Sequence, residues 1–109
     1  MGLAEKSCVP CRGGVPPLAG EEIERYLPEL KGWTVIEGKR LEKSLTCPDF
    51  AASLALANEI GALAEEQGHH PDLLVAWGRL GIQLWTHKVD GLTESDFILA
   101  AKIDRIADR

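Results

Sequence analysis

The three histidines of the chain all fall between positions 69 and 87. Two are adjacent, in Glu65-Glu66-Gln67-Gly68-His69-His70-Pro71, and the third follows Thr86 as His87. Imidazole is the side chain that exchanges protons nearest neutral pH. With Glu65 just before the cluster and Asp96 just after it, these residues make an acid/base set, because carboxylates beside imidazoles favour the protonated ring. No serine, cysteine or lysine stands in the run from Glu65 to His87. The chemistry to expect is therefore proton transfer without a covalent nucleophile. Each residue also has a plainer use. Pro71 holds His70 extended and stops a helix. Asp96 sits where a helix-capping residue would. Glu65, like Glu66, suits a solvated helix face. Trp77 and Trp85 bring apolar area for packing, and His87 suits an exposed strand end.

The elements that must position this set follow from hydrophobic period and turn chemistry. Glu21 to Leu27 reads as a short helix with Ile23, Tyr26 and Leu27 inward, closed by Pro28 and Gly32. Trp33 to Ile36 and Arg40 to Leu45 form a hairpin about Gly38. Thr46-Cys47-Pro48-Asp49 starts a helix that runs to about Gln67, with Thr46 as cap and Pro48 in the first turn. Its apolar stripe is Phe50, Leu54, Ala57, Ile60, Leu63 and Ala64, and its other faces are rich in alanine. Leu73 to Trp77 and Leu80 to His87 are two further strands, the second with Leu80, Ile82, Leu84 and Thr86 on one face. Thr93-Glu94-Ser95-Asp96 opens a last helix with Leu99, Ile103 and Ile106 inward. The order predicts an α+β fold: a two-layer sandwich of a four-stranded antiparallel sheet with helices packed on one face.

At 109 residues the chain makes one domain, taken as 18–109, preceded by an N-terminal arm at 1–17 that is flexible or docked on the surface. The net charge of −5 argues against binding nucleic acid through its phosphates. No apolar run is long enough to span a membrane, no leader is visible, and three cysteines are an odd count for a disulfide framework. The expected location is cytoplasmic. Cys8-x-x-Cys11 lies in a Gly/Pro-rich stretch; it supplies half a zinc site at most, needing ligands from a second subunit, and no metal site is assigned.

The run Glu65-x3-His69-His70-Pro71-x5-Trp77-x9-His87-x8-Asp96 resembles the signature of the pterin-4a-carbinolamine dehydratases. Gly32-Trp33, Thr86-His87 and Gly91-Leu92-Thr93-Glu94-Ser95-Asp96 match the same pattern, and the likeness covers about residues 18–106. It implies the sandwich fold above and a hydro-lyase. The reaction would remove water from a 4a-hydroxy-tetrahydropterin to give the quinonoid dihydropterin, recycling the pterin of aromatic amino acid hydroxylases. Substrate and product are at one oxidation level, so no redox cofactor or metal is called for. The resemblance assigns proton transfer to His69 and His87 and pterin positioning to His70. It assigns substrate contact or imidazole orientation to Glu65 and Asp96, and a place about the pocket to Trp33, Pro71 and Thr86. It also implies dimers or tetramers. Two alternatives stand beside it: a dimerisation partner of a transcription regulator, and action on another pterin, as in molybdopterin metabolism.

Overall fold

In the computed structural model, which describes residues 2–9 and 16–108, the elements are α1 (Gly20–Tyr26), β1 (Thr34–Ile36), β2 (Arg40–Thr46), α2 (Phe50–Gln67), β3 (Asp72–Ala76), β4 (Arg79–Leu84) and α3 (Glu94–Ala107). The strands form one antiparallel sheet in the order β1-β2-β4-β3. The expected α+β sandwich is the fold observed. Leu41 lies opposite Leu84, Leu45 opposite Leu80, and Leu73 opposite Ile82. Directly opposed residues share a face, so these apolar side chains form one row that the helices cover. The other face, with Glu42, Ser44, Gln83 and an exposed Leu74, stays open.

Three sequence expectations shift locally. The cap of α2 is Asp49, whose Oδ1 accepts from the Ala52 N–H at 2.8 Å; Thr46 instead ends β2, and Pro48 precedes the helix. The buried face of α2 is Ser53, Ala57, Ile60 and Ala64, while Phe50 and Leu54 are 46% and 44% exposed. An alanine-rich helix is apolar on several faces, so its period does not say which face meets the sheet; the row of small residues does, because it allows close approach. Finally, β4 ends at Leu84, where Thr86 forms an isolated bridge with Gly91, and His87 begins a single 3-10 turn through Val89.

Lys43 stands in the buried row of the sheet, its side chain 10% exposed. Its ammonium lies 2.7 Å from Asp104 Oδ1. The same carboxylate accepts from the Trp33 indole N–H (2.8 Å) and the Lys31 backbone N–H (2.9 Å). A buried charge pair is tolerable when its remaining valences are hydrogen-bonded in this way. The cluster ties the start of β1 and the middle of β2 to α3.

The N-terminal stretch departs from a flexible arm over residues 2–9. Leu3 is 2% exposed within the core, in a 3-10 turn (Leu3–Glu5) set against α3. Lys6 and Tyr26 both donate to Glu94 Oε2, at 2.9 and 3.0 Å. The Lys6 hydrogen bond holds the Glu94 carboxyl below its ordinary range. Residues 10–15, with Cys11, lie outside the described residues. Emptying the Leu3 site should therefore be felt by the whole domain. Leu3→Ala is expected to lower unfolding free energy by about 2 kcal/mol, as buried leucine truncations do. Urea denaturation checks this; an unchanged midpoint would mean that the arm contributes nothing to the core.

Candidate active site

The end of α2 delivers the first histidine. Gly68 takes a left-handed conformation (φ +65°), and the His69 N–H returns to the Ala64 carbonyl at 3.3 Å. Glycine suits this helix-terminating position because it has no Cβ. The chain so reversed brings His69 Nε2 to 2.5 Å from Asp96 Oδ1. Asp96 is fully buried, and His69 is 13% exposed.

Asp96 is held as firmly from the other side. Its Oδ2 accepts from the Thr93 N–H at 2.9 Å, which closes the start of α3. It also accepts from the Thr86 hydroxyl at 2.8 Å. Thr86 has one hydroxyl proton, so Thr93 must be the donor in the 2.9 Å contact between the two hydroxyls. Capping and imidazole orientation, alternatives on sequence, are thus two jobs of one carboxylate. An ionised carboxylate only accepts, so in this contact the ring donates its Nε2–H to Asp96.

His87 is exposed in its 3-10 turn and stacks on Trp85, ring centroids 4.4 Å apart and planes 21° apart. The Arg40 guanidinium lies 4.6 Å from the centre of the same indole. Trp85, expected as a packing residue, therefore carries a histidine. His70 pairs through Nε2 with Glu65 Oε2, both side chains largely exposed. His69, His70 and His87, with Trp85, Thr86 and Lys88, line an open cleft of about 350 Å³. A concavity of about 340 Å³ on the open sheet face carries no imidazole. Among the described residues, no three His, Cys, Asp or Glu side chains are arranged to hold a metal ion.

The structure thus brings His69, His70, His87, Thr86 and, through its hydrogen bonds, Asp96 together. Glu65 reaches the cleft only through His70. Pro71 is half-buried at the entrance to β3 and outside the lining. Trp33 is the clearest departure: it is bound to Asp104 and is not among the lining residues. Two residues with a hand in this region were not singled out from the sequence, Gln67 and Ser95, because their partners lie far away in the chain.

The family model described as pterin 4 alpha carbinolamine dehydratase matches residues 16–106. The chain belongs to that family. A protein of Rubrobacter xylanophilus, provisionally named pterin-4-alpha-carbinolamine dehydratase, is 56% identical over 95% of this chain and 97% of its own. One of Rickettsia bellii with the same provisional name is 55% identical over 94% and 91%. The crystal structure of a transcriptional coactivator/pterin dehydratase from Brucella melitensis superposes with a TM-score of 0.77 at 30% identity, over 84% of this chain and 98% of that one. No helix among the described residues is long and apolar enough to cross a membrane.

In this dehydratase-family chain, three donors converge on Asp96. Asp96→Asn keeps the shape and one acceptor oxygen for Thr93 and Thr86, but its NH₂ group then faces His69, so the ring must accept at Nε2 and carry its proton on Nδ1. The expected cost is about 1 kcal/mol of stability, the difference between charge-assisted and neutral hydrogen bonds. Denaturant unfolding of the variant beside the parent measures it, and a matching midpoint would show that the three bonds do not act together.

Proposed function

We infer that the chain dehydrates a 4a-hydroxy-tetrahydropterin by histidine acid/base catalysis. The observation that carries this reading is the His69–Asp96 pair opening on a cleft shared with His87 and His70. In the reaction the C4a–O bond breaks as an imidazolium proton passes to the departing oxygen, which leaves as water. The N5–H proton passes to a base, and the N5 electrons form the N5=C4a double bond. One acid and one base complete the balance. His69, backed by Asp96, and His87, stacked on Trp85, are assigned these two proton transfers. His70, steadied by Glu65, is assigned to hold the pterin ring. The cleft volume falls within the range of small-molecule sites. Recycling the pterin of an aromatic amino acid hydroxylase is the metabolic role that goes with this reaction.

The kinetic test is stopped-flow dehydration of freshly generated 4a-hydroxy-tetrahydropterin. The parent is expected to accelerate the reaction without added metal or nucleotide. His69→Ala and His87→Ala should each lower kcat by about 10²-fold with smaller changes in KM, as loss of general acid–base catalysis does. His70→Ala should chiefly raise KM. No acceleration by the parent defeats the reading, and a fully active His87→Ala removes that residue from the chemistry.

The same reading includes assembly. Phe50 and Leu54 lie exposed on the alanine-rich outer face of α2, and β1 and β3 are open sheet edges. Such surfaces invite self-association. A homotetramer, or a dimer using one surface, is expected. The coactivator name of the Brucella protein supports a second reading, in which the α2 face receives a different protein partner. Light scattering at micromolar concentration separates them: an oligomer covers the face with copies of this chain, whereas a particle of 11.9 kDa leaves it to another partner.

A further inference from the structure

The N-terminal stretch touches the two chain ends that carry His69 and Asp96. The Cys8 N–H donates to Gln67 Oε1 at 2.9 Å, and Gln67 is the last residue of α2, two before His69. One residue on, the Val9 N–H donates to Ser95 Oγ at 3.1 Å, and the Ser95 hydroxyl donates back to the Val9 carbonyl at 3.2 Å. The Cys8 thiol points at the Ser95 carbonyl, 3.5 Å away. Burial pushes that thiol up from its ordinary range, so it keeps the proton that this contact needs. Ser95 is 3% exposed and immediately precedes Asp96.

The bridge is anchored on both sides. Upstream, Leu3 is buried, Lys6 is paired with Glu94, and Arg105 with Glu5 at 2.6 Å. On the far side of residues 10–15, the Leu18 N–H donates to the Leu92 carbonyl at 2.8 Å. A Cβ at Gly91 would come within 2.6 Å of Pro17, so the segment fits tightly against the loop that follows Thr86 and His87.

We propose that Gln67 and Ser95 are positioning residues for the His69–Asp96 pair, acting through Cys8 and Val9, which brace the end of α2 against the start of α3. The argument is geometric. A 2.5 Å contact between side chains on two different helix ends tolerates little relative movement of those ends. Proton transfer is steeply sensitive to small misplacement of the transferring group. The brace grips the side chain of Gln67, two residues before one partner, and the side chain and carbonyl of Ser95, next to the other. It touches no residue assigned to the substrate.

The kinetic half of the test rests on the dehydratase reading; the spectroscopic half does not. Gln67→Ala removes the Cys8 acceptor at a half-buried helix end where alanine is a strong helix former, so the variant is expected to fold. Its kcat should fall about tenfold with KM within about twofold of the parent, the pattern of a lost orientation rather than lost binding. Gln67→Glu keeps an acceptor oxygen and should restore kcat. Ser95→Ala should move in the same direction as Gln67→Ala. Lys31→Ala removes an exposed ion pair with Asp108, outside both the brace and the cleft, and should keep the parental kcat. In parallel, proton NMR of the parent should show a downfield, slowly exchanging His69 ring N–H, and Gln67→Ala should lose it. Parental kcat and ring signal in Gln67→Ala overturn the brace, as does an equal loss in Gln67→Glu. A parent that does not accelerate dehydration overturns the enzymatic reading alone, and the ring signal still decides the brace.

Discussion

The site depends on one buried carboxylate. Asp96 cannot be solvated where it lies, so its charge is tolerable only if its oxygens are saturated by donors. Those donors come from three places: the start of its own helix, the segment just after β4, and the turn after α2. Satisfying it therefore fixes the relative positions of α3, the Thr86 loop and His69. Moving any one of them leaves a buried acceptor or donor unpaired. The imidazole that results is held at Nε2, in line with the end of α2 and the start of α3.

Asp104 does for the body of the fold what Asp96 does for the site. It also lies on α3, two turns further on, and it binds Lys43, the Trp33 indole and the Lys31 backbone. The last helix is thus pinned by two buried carboxylates, one at its capped start and one near its end. Between them Phe97, Ile98, Leu99, Ala100 and Ile103 fill the core. Apolar packing supplies most of the cohesion, while the two carboxylates give it a unique register, since a slide of α3 along the sheet would strand both. Trp33 belongs to this second anchor, which explains its burial.

Docking of residues 2–9 extends the same logic. Leu3 completes the apolar layer over α3, and the polar contacts that follow run along the first turns of that helix. A stretch that lacks periodicity is held by side chains from elements already in place. The sequence reads it as part of the arm because the residues that follow, Pro10 to Pro17, are rich in Gly and Pro, and such composition speaks only of local backbone preference.

The sequence by itself determined the kinds and order of the elements, and that the imidazoles belong together. Alternation along Leu80, Ile82 and Leu84, the hairpin at Gly38, the helix stop at Gly68 and the Thr93–Asp96 cap are local rules, each settled within a few residues. The histidines were legible because their chemistry is uncommon and their spacing tight. Tertiary structure alone decided which apolar face of α2 is buried, since Phe50 and Ala57 are equally acceptable to a helical period. It alone placed Trp33 with Asp104, turned His87 onto Trp85, and gave Asp96 its second task. Trp33 lies 71 residues from Asp104 and His69 lies 27 from Asp96, while the Trp85–His87 stack, though local, depends on the 3-10 turn that follows the strand. Hydrogen bonds of that reach depend on where whole elements end and how closely they pack, and no local period encodes those distances.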